Sequence, residues 1–240
     1  MGRFQRPAKE VADAMEILDQ IPVSLDVAQV MARLRNLKGL EDCVAELLGR
    51  VRQTARPKAA YATCYVEAKG PDWVVVDGVQ LSSQVLRVNL DPVRRVFPYV
   101  ATCGTEVDTI QVAPDDVMAQ YCLDLIKRML VSAARVYLEA QVARRFGLDQ
   151  LSRMGPGSLE DWPITQQQPL FSLLGDVEGA IGVRLTESFL MVPLKSVSGL
   201  FFPTETKWEN CQLCPRPVCE GRRAPYEATL AEDYSRRTAT

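Results

Sequence analysis

The stretch Ile181-Gly-Val-Arg-Leu-Thr-Glu-Ser-Phe-Leu-Met-Val-Pro-Leu-Lys-Ser-Val-Ser-Gly199 decides how the rest of the chain is read. Val183, Leu185, Phe189, Met191 and Val197 surround Thr186, Glu187 and Ser188 with apolar, β-prone side chains. A solvated loop does not carry so many apolar neighbours, and an ordinary core strand does not carry a carboxylate between two hydroxyls. The pattern predicts strand through Thr186–Ser188 and again over Ser196–Phe202. Buried carboxylates are costly unless paired or hydrogen-bonded, so Glu187 is either a hub for backbone N–H groups or a ligand contact. On the residues alone the hub is the better reading.

Working outward, 240 residues suffice for a full core, in one large domain or two small ones. Hydrophobic residues at 47% and charged residues at 24% sit near globular averages. A net charge of −2 offers no basic field for nucleic acid. No apolar run reaches the length of a membrane span, and no secretory leader opens the chain. The expectation is a cytoplasmic protein without nucleic-acid or membrane partners. Histidine is absent, which excludes imidazole bases, histidine-activated nucleophiles and imidazole metal ligands. Carboxylates, thiolates, backbone dipoles or a borrowed cofactor are left, and no residue stands out as a catalytic nucleophile or base.

The cysteines divide into two groups. Cys43, Cys64, Cys103 and Cys122 lie in apolar or helical settings and read as small buried residues. Cys211, Cys214 and Cys219 are spaced C-x2-C-x4-C, which can wrap zinc or hold three corners of an iron–sulfur cluster, or can be a thiol-rich loop. A four-ligand zinc site here would take its fourth ligand from Cys or a carboxylate.

In chain order, periodicity predicts helices over 7–19, from Val27 to Leu34 with a start at Ser24 or Asp26, and from Leu40 to Arg52. After Pro57 the period changes to strands at Ala60–Ala68 and Trp73–Val76, joined by a turn at Lys69-Gly-Pro-Asp72. Leu81–Leu90 is ambiguous, and Arg94–Cys103 reads as strand. Asp115 and Asp116 open the longest helix, which runs to Phe146 with Gly147 as C-cap. Arg153-Met-Gly-Pro-Gly157-Ser158 is a stiff turn that either connects elements or brings backbone amides and Arg153 to a ligand. Gly175-Asp-Val-Glu-Gly179-Ala-Ile-Gly182 has the wrong spacing for a nucleotide fingerprint and reads as a turn. Gln166–Leu174 is a short helix. Blocks of helix and strand, without strict alternation, predict an α+β fold.

Residues from Arg153 to Phe202 resemble the activation, S-adenosylmethionine-binding domain of cobalamin-dependent methionine synthase. That family carries an R-P-A-P-G-Y-P loop, a spacer helix, and then L-T-E-S-F-A-M-x-P-x-x-S-V-S-G. Here the second motif stands as Leu185-Thr-Glu-Ser-Phe-Leu-Met-Val-Pro-Leu-Lys-Ser-Val-Ser-Gly199. The resemblance covers residues 115–210, while the N-terminal part fits only in its order of elements. It implies a single C-shaped α+β domain with a twisted antiparallel sheet, spanning 1–226. Within that span lie a helical part at 1–56 and a Cys-rich segment at 208–226, and a mobile tail follows over 227–240.

It further implies a role in restoring methylcobalamin from cob(II)alamin, with S-adenosylmethionine and one electron. The partners implied are a separate corrinoid-binding protein or methyltransferase, which presents the cobalamin, and an electron donor such as flavodoxin or ferredoxin. By resemblance Arg153 meets the ligand carboxylate, and Gly155 and Gly157 supply backbone contacts. Glu187 and Ser188 support the groove, and Trp208 touches the adenosine end. The chain departs from the pattern at Ser158, where the family has Tyr, and around Ser132–Val136, where no carboxylate matches the family's acidic helix residues. The Cys-rich end is foreign to the large synthase and resembles the ends of short free-standing relatives. An alternative reading is therefore a corrinoid-protein adaptor or an electron-transfer protein using Cys211, Cys214 and Cys219.

Overall fold

The computed structural model describes residues 15–35, 37–219 and 221–237. Its central element is β6 (Arg95–Thr102), buried on both faces over nearly its whole length. One edge of β6 pairs first with β2 (Lys58–Tyr61) and then with β3 (Cys64–Lys69). Its other edge pairs with β10 (Ser196–Pro203), which in turn carries β7 (Leu151–Met154) at the sheet margin. Beyond β2 lies β1 (Glu16–Leu18), and beyond β3 lie β4 (Trp73–Val76) and β5 (Val79–Ser82). Every pairing is antiparallel, and the sheet curls into a half-barrel.

Proline explains why the strand expected over Ala60–Ala68 is two strands. Pro98 cannot donate to a ladder, and it stands where the β6 partner changes from Tyr61, opposite Tyr99, to Cys64, opposite Val96. At that point Ala62 N–H donates to the Pro98 carbonyl (3.1 Å). The ambiguous Leu81–Leu90 segment divides into the end of β5 and helix α3 (Gln84–Asn89). Ser83 caps that helix, and the Asp161 carboxylate accepts from Gln84 N–H (3.1 Å) and Val85 N–H (3.1 Å). Asp77 (φ +42°) and Gly78 (φ +82°) make the two-residue turn between β4 and β5, the left-handed pair that such a hairpin requires.

The helices follow their sequence signals. Asp26 and Gln29 form a capping box on α1 (Val27–Leu34), and α2 spans Glu41–Thr54. Helix α4 (Val117–Phe146) is capped by Asp116 at its start and by left-handed Gly147 (φ +59°) at its end. It lays Ala134, Leu138 and Val142 on the sheet face made by Phe97, Tyr99, Ala101 and Phe201. Its other flank buries Cys122, Leu125 and Ile126 against Val30, Leu34, Val44 and Leu48 of α1 and α2. The opposite sheet face, with Val96, Val100, Leu200 and Phe202, is covered by Trp162 and by Leu170 of α5 (Gln167–Ser172) and Ile181 of α6 (Val177–Ile181). Strand alternation therefore feeds two cores, one on each side of the sheet.

Four expectations are corrected. Of the helix expected over 7–19, residues 7–14 lie outside the described residues, and Glu16–Leu18 form β1, because pairing with β2 overrides a weak helical pattern. Within Gly175–Gly182 lies the helix α6, capped by Asp176, whose carboxylate accepts from Gly179 N–H (2.8 Å). The tail is helical at α7 (Ala228–Arg237), tied down where Tyr234 OH donates to Asn89 Oδ1 (2.6 Å).

The fourth correction concerns Thr186–Ser188, which is the tip of a hairpin between β8 (Arg184–Leu185) and β9 (Met191–Val192). Thr186 is its hub: its N–H donates to Leu190 O (2.8 Å), and its hydroxyl accepts from Leu190 N–H (3.1 Å) and bonds Ser188 Oγ (3.0 Å). Phe189, at φ +61°, turns the chain back. Glu187 and Ser188 are exposed, so Glu187 is not a buried hub.

Candidate functional site at Arg153

Edge strand β7 separates its residues between the two cores. Leu151 packs with the α4 core and Met154 with the other. By the same alternation Arg153 faces α4, where its guanidinium lies 3.5 Å from Glu139 and 3.7 Å from Glu209. Glu139 is also 2.7 Å from Arg135, one helical turn before it, and Glu209 is 2.7 Å from Arg223. Burial, followed by the charges of Arg135 and Arg223, pushes the Arg153 pKa below its ordinary value. The carboxylates keep the group charged and in place. These five side chains, with Lys207 and Asp149, line a groove of about 630 Å³, within the range of small-molecule sites. Counting charges on these seven residues, four cations face three anions. Among the described lining residues, one positive charge is left unmatched.

The Gly155–Ser158 turn is as stiff as its sequence suggests. Ser158 N–H donates to Gly155 O (3.2 Å), and Pro156 followed by Gly157 at φ +79° matches a type II turn. Gly155 is required by packing: a Cβ there would stand 2.7 Å from the Ser198 carbonyl of β10. Ser158, where the family has Tyr, spends its hydroxyl locally, donating to Gly155 O and accepting from Asn210 Nδ2.

The expected site residues do not all converge. Trp208 is buried on the sheet face opposite Arg153, in the core with Met154 and Trp162. Its backbone N–H donates to Ser152 Oγ (2.9 Å), and its ring stacks on Tyr234 at 6.3 Å between centroids. It is a core residue and does not line the Arg153 groove. Gly155, Gly157, Glu187 and Ser188 do not line it either. Glu139 and Glu209 do line it, and sequence reading missed both. The spacing of Arg135 and Glu139, four residues apart on one helix, was the available signal; Glu209 follows Trp208 and had none. A second groove of about 600 Å³, floored by Leu25, Leu34, Leu125 and Met129, lies further along α4, and none of the expected site residues borders it.

In the Cys-rich segment, Asn210–Gln212 form a short 3-10 turn, and Cys214 N–H donates to Cys211 O (3.3 Å). Cys211 and Cys214 are half-buried and Cys219 is exposed. Among the described residues no group of three or more Cys, Asp or Glu side chains is close enough to hold a metal ion. The expected metal set is therefore not assembled as the side chains stand here.

Comparison with known proteins agrees with this architecture. Residues 153–209 match the family model described as vitamin B12 dependent methionine synthase, activation domain. This matched segment runs from Arg153 through Glu209, both of which line the charged groove. Among solved structures, the chain is similar to the MetH reactivation domain bound to AdoHcy. The TM-score is 0.56 at 18% identity, covering 95% of this chain and 87% of that one. The fold is thus that of the reactivation domain. No curated protein matches the chain.

Proposed function

We propose that this protein serves reactivation of a corrinoid-dependent methionine synthase or methyltransferase, with S-adenosylmethionine bound at the Arg153 groove. The observation that carries the reading is the Arg153 guanidinium, set between two carboxylates in a groove with one unmatched positive charge. The amino-acid end of S-adenosylmethionine is a zwitterion beside a sulfonium. Its carboxylate suits Arg153, and Glu139 and Glu209 suit its ammonium and sulfonium charges. The fit covers that end alone, since among the described residues no aromatic side chain lines this groove for adenine. The relative's bound AdoHcy is the same molecule without its methyl group, which supports the assignment. The corrinoid, presented by a partner protein, supplies the chemistry at cobalt, with an electron from a flavodoxin- or ferredoxin-type donor. This chain binds and orients the methyl donor.

Calorimetry with S-adenosylmethionine, with and without the corrinoid partner, tests the reading. Arg153→Met is expected to weaken binding about tenfold or more, the worth of a charge-assisted hydrogen bond. Absence of binding by the unmodified chain under both conditions overturns it. A second reading, a corrinoid-protein adaptor without methyl-donor binding, is favoured by Arg153 already having two carboxylate partners. It predicts capture of the corrinoid protein with no heat from S-adenosylmethionine.

A further inference from the structure

We propose that Cys211, Cys214 and Cys219 are the protein ligands of a thiolate-bound metal centre, of zinc or iron–sulfur type, organised by Arg222. The inference stands apart from the methyl-donor reading. Its basis is that one residue ties down the backbone of all three cysteines. The Arg222 backbone N–H donates to Cys219 O (3.2 Å). Its guanidinium donates to Cys211 O (3.2 Å) and Cys214 O (3.2 Å), and also reaches Ala224 O (3.2 Å) and Arg216 O. A guanidinium that satisfies several carbonyls of one short loop fixes the path of the chain through all three cysteines.

The spacing of Cys211 and Cys214 is that of metal-binding knuckles. Cys211 and Cys214 leave a single tight turn, closed by the Cys214 N–H to Cys211 O bond (3.3 Å). A two-residue spacer between thiols is the spacing that zinc and iron–sulfur sites use. The Cys211 sulfur accepts a backbone N–H bond from Arg223 (3.4 Å), the kind of contact that supports a metal-bound thiolate. Cys219 returns on the second turn, held by Arg222. The sulfurs do not meet in the present side-chain arrangement. Closing them takes side-chain rotation and adjustment of the loop near Val218, which is 83% exposed.

Three protein sulfurs leave one position for a ligand from outside the loop, as in an open zinc site or a cluster with one non-cysteine corner. The site also adjoins the charged groove. Arg223, whose N–H meets the Cys211 sulfur, holds Glu209 at 2.7 Å through its side chain, and Glu209 lies 3.7 Å from Arg153.

The test uses the full chain purified without oxygen. Zinc, iron and acid-labile sulfide are measured per chain, and the metal-stripped chain is titrated with Cd²⁺ while sulfur-to-cadmium absorption is followed in the ultraviolet. One zinc without iron identifies the first form. Iron with sulfide and broad visible absorption identifies the second. In either case Cd²⁺ should bind one per chain. That signal should vanish in Cys214→Ser and Cys219→Ser and persist in Cys43→Ser, with circular dichroism confirming that each variant is folded. Arg222→Ala keeps every thiol and should weaken Cd²⁺ binding by about 10–100-fold, the usual cost of losing an outer-shell partner. Cadmium absorption unchanged by Cys214→Ser, or no cadmium–sulfur absorption at all, overturns the metal centre. An Arg222→Ala titration identical to the parent's overturns the organising role.

Discussion

Gly155 and Gly199 face each other just past the last paired residues of β7 and β10, where Met154 lies opposite Leu200. A Cβ on Gly199 would stand 2.6 Å from Met154 O and 2.9 Å from the Tyr99 hydroxyl, and one on Gly155 would stand 2.7 Å from Ser198 O. Ordinary contact begins at 3.4 Å, so either alanine must open the strand pair by about 0.7–0.8 Å, against a close-packed interior. Overpacking of this kind costs about 1–3 kcal/mol. For a chain of this size, about 2 kcal/mol lowers the melting temperature by roughly 4–8 °C. Gly49, inside α2 with nothing within 4 Å of its missing Cβ, is the control. Gly49→Ala should stabilise by about 0.8–1 kcal/mol through helix propensity alone. Once one alanine has parted the strands, the second costs less, so the Gly155→Ala/Gly199→Ala double variant should fall short of additivity by at least ~0.5 kcal/mol. Thermal and urea unfolding of the four variants give these values. A Gly199→Ala protein that melts within a degree of the parent, or a strictly additive double variant, would refute the interlocked-strand argument.

Two further outcomes follow from buried titratable groups. Burial pushes the Cys103 thiol up to about 12 and that of Cys122 to about 11, whereas Cys219 is exposed and Cys211 and Cys214 are half-exposed. An aromatic disulfide reagent at pH 8 should therefore label the metal-stripped native chain quickly at those last three positions, and rapid modification at Cys103 or Cys122 would contradict the packing. Tyr61 is pushed up to about 12, first by burial and then by Glu16. Its folded pKa thus lies above the unfolded value of 10, so its contribution is complete below pH 10 and is lost as pH rises toward 12. Tyr61→Phe should flatten the decline of urea midpoints across that window, and parallel declines in the two proteins would sink the assignment.

The sequence displayed its helices plainly where caps and periodicity coincide, as at Asp26, Asp116 and Gly147. It also displayed β6 and β10, whose apolar runs are buried on both faces. It misled at Thr186–Ser188, because apolar residues flanking a hairpin tip look locally like those flanking a strand. What separates the two is Phe189 at φ +61°, a property of the fold that periodicity does not carry. Trp208 was hard to place for a similar reason: its order along the chain is legible, but which face of the sheet it enters depends on the register of the segment wrapping β7. Glu209, one residue on, turns to the other side and meets Arg153. A motif specifies the order of side chains, whereas their side of the sheet depends on alternation that begins at the paired strand.

The same alternation bears on which reading of Arg153 is sound. An arginine partnered by Glu139 and Glu209 gains from a ligand carboxylate only the excess over what those residues already give. In isolation that argues for a structural ion network, in which removing one member would leave a charge stranded in a largely buried place. Yet Arg135 and Arg223 crowd the same two carboxylates, each at 2.7 Å, closer than Arg153 lies to either. The two glutamates are therefore committed first to the other arginines, and Arg153 holds the weaker share of both. Burial acts against it most, and the like charges of Arg135 and Arg223 add to that cost. An incoming carboxylate relieves that crowding without evicting either glutamate, so Arg153 is the member of the cluster with most to gain from a ligand.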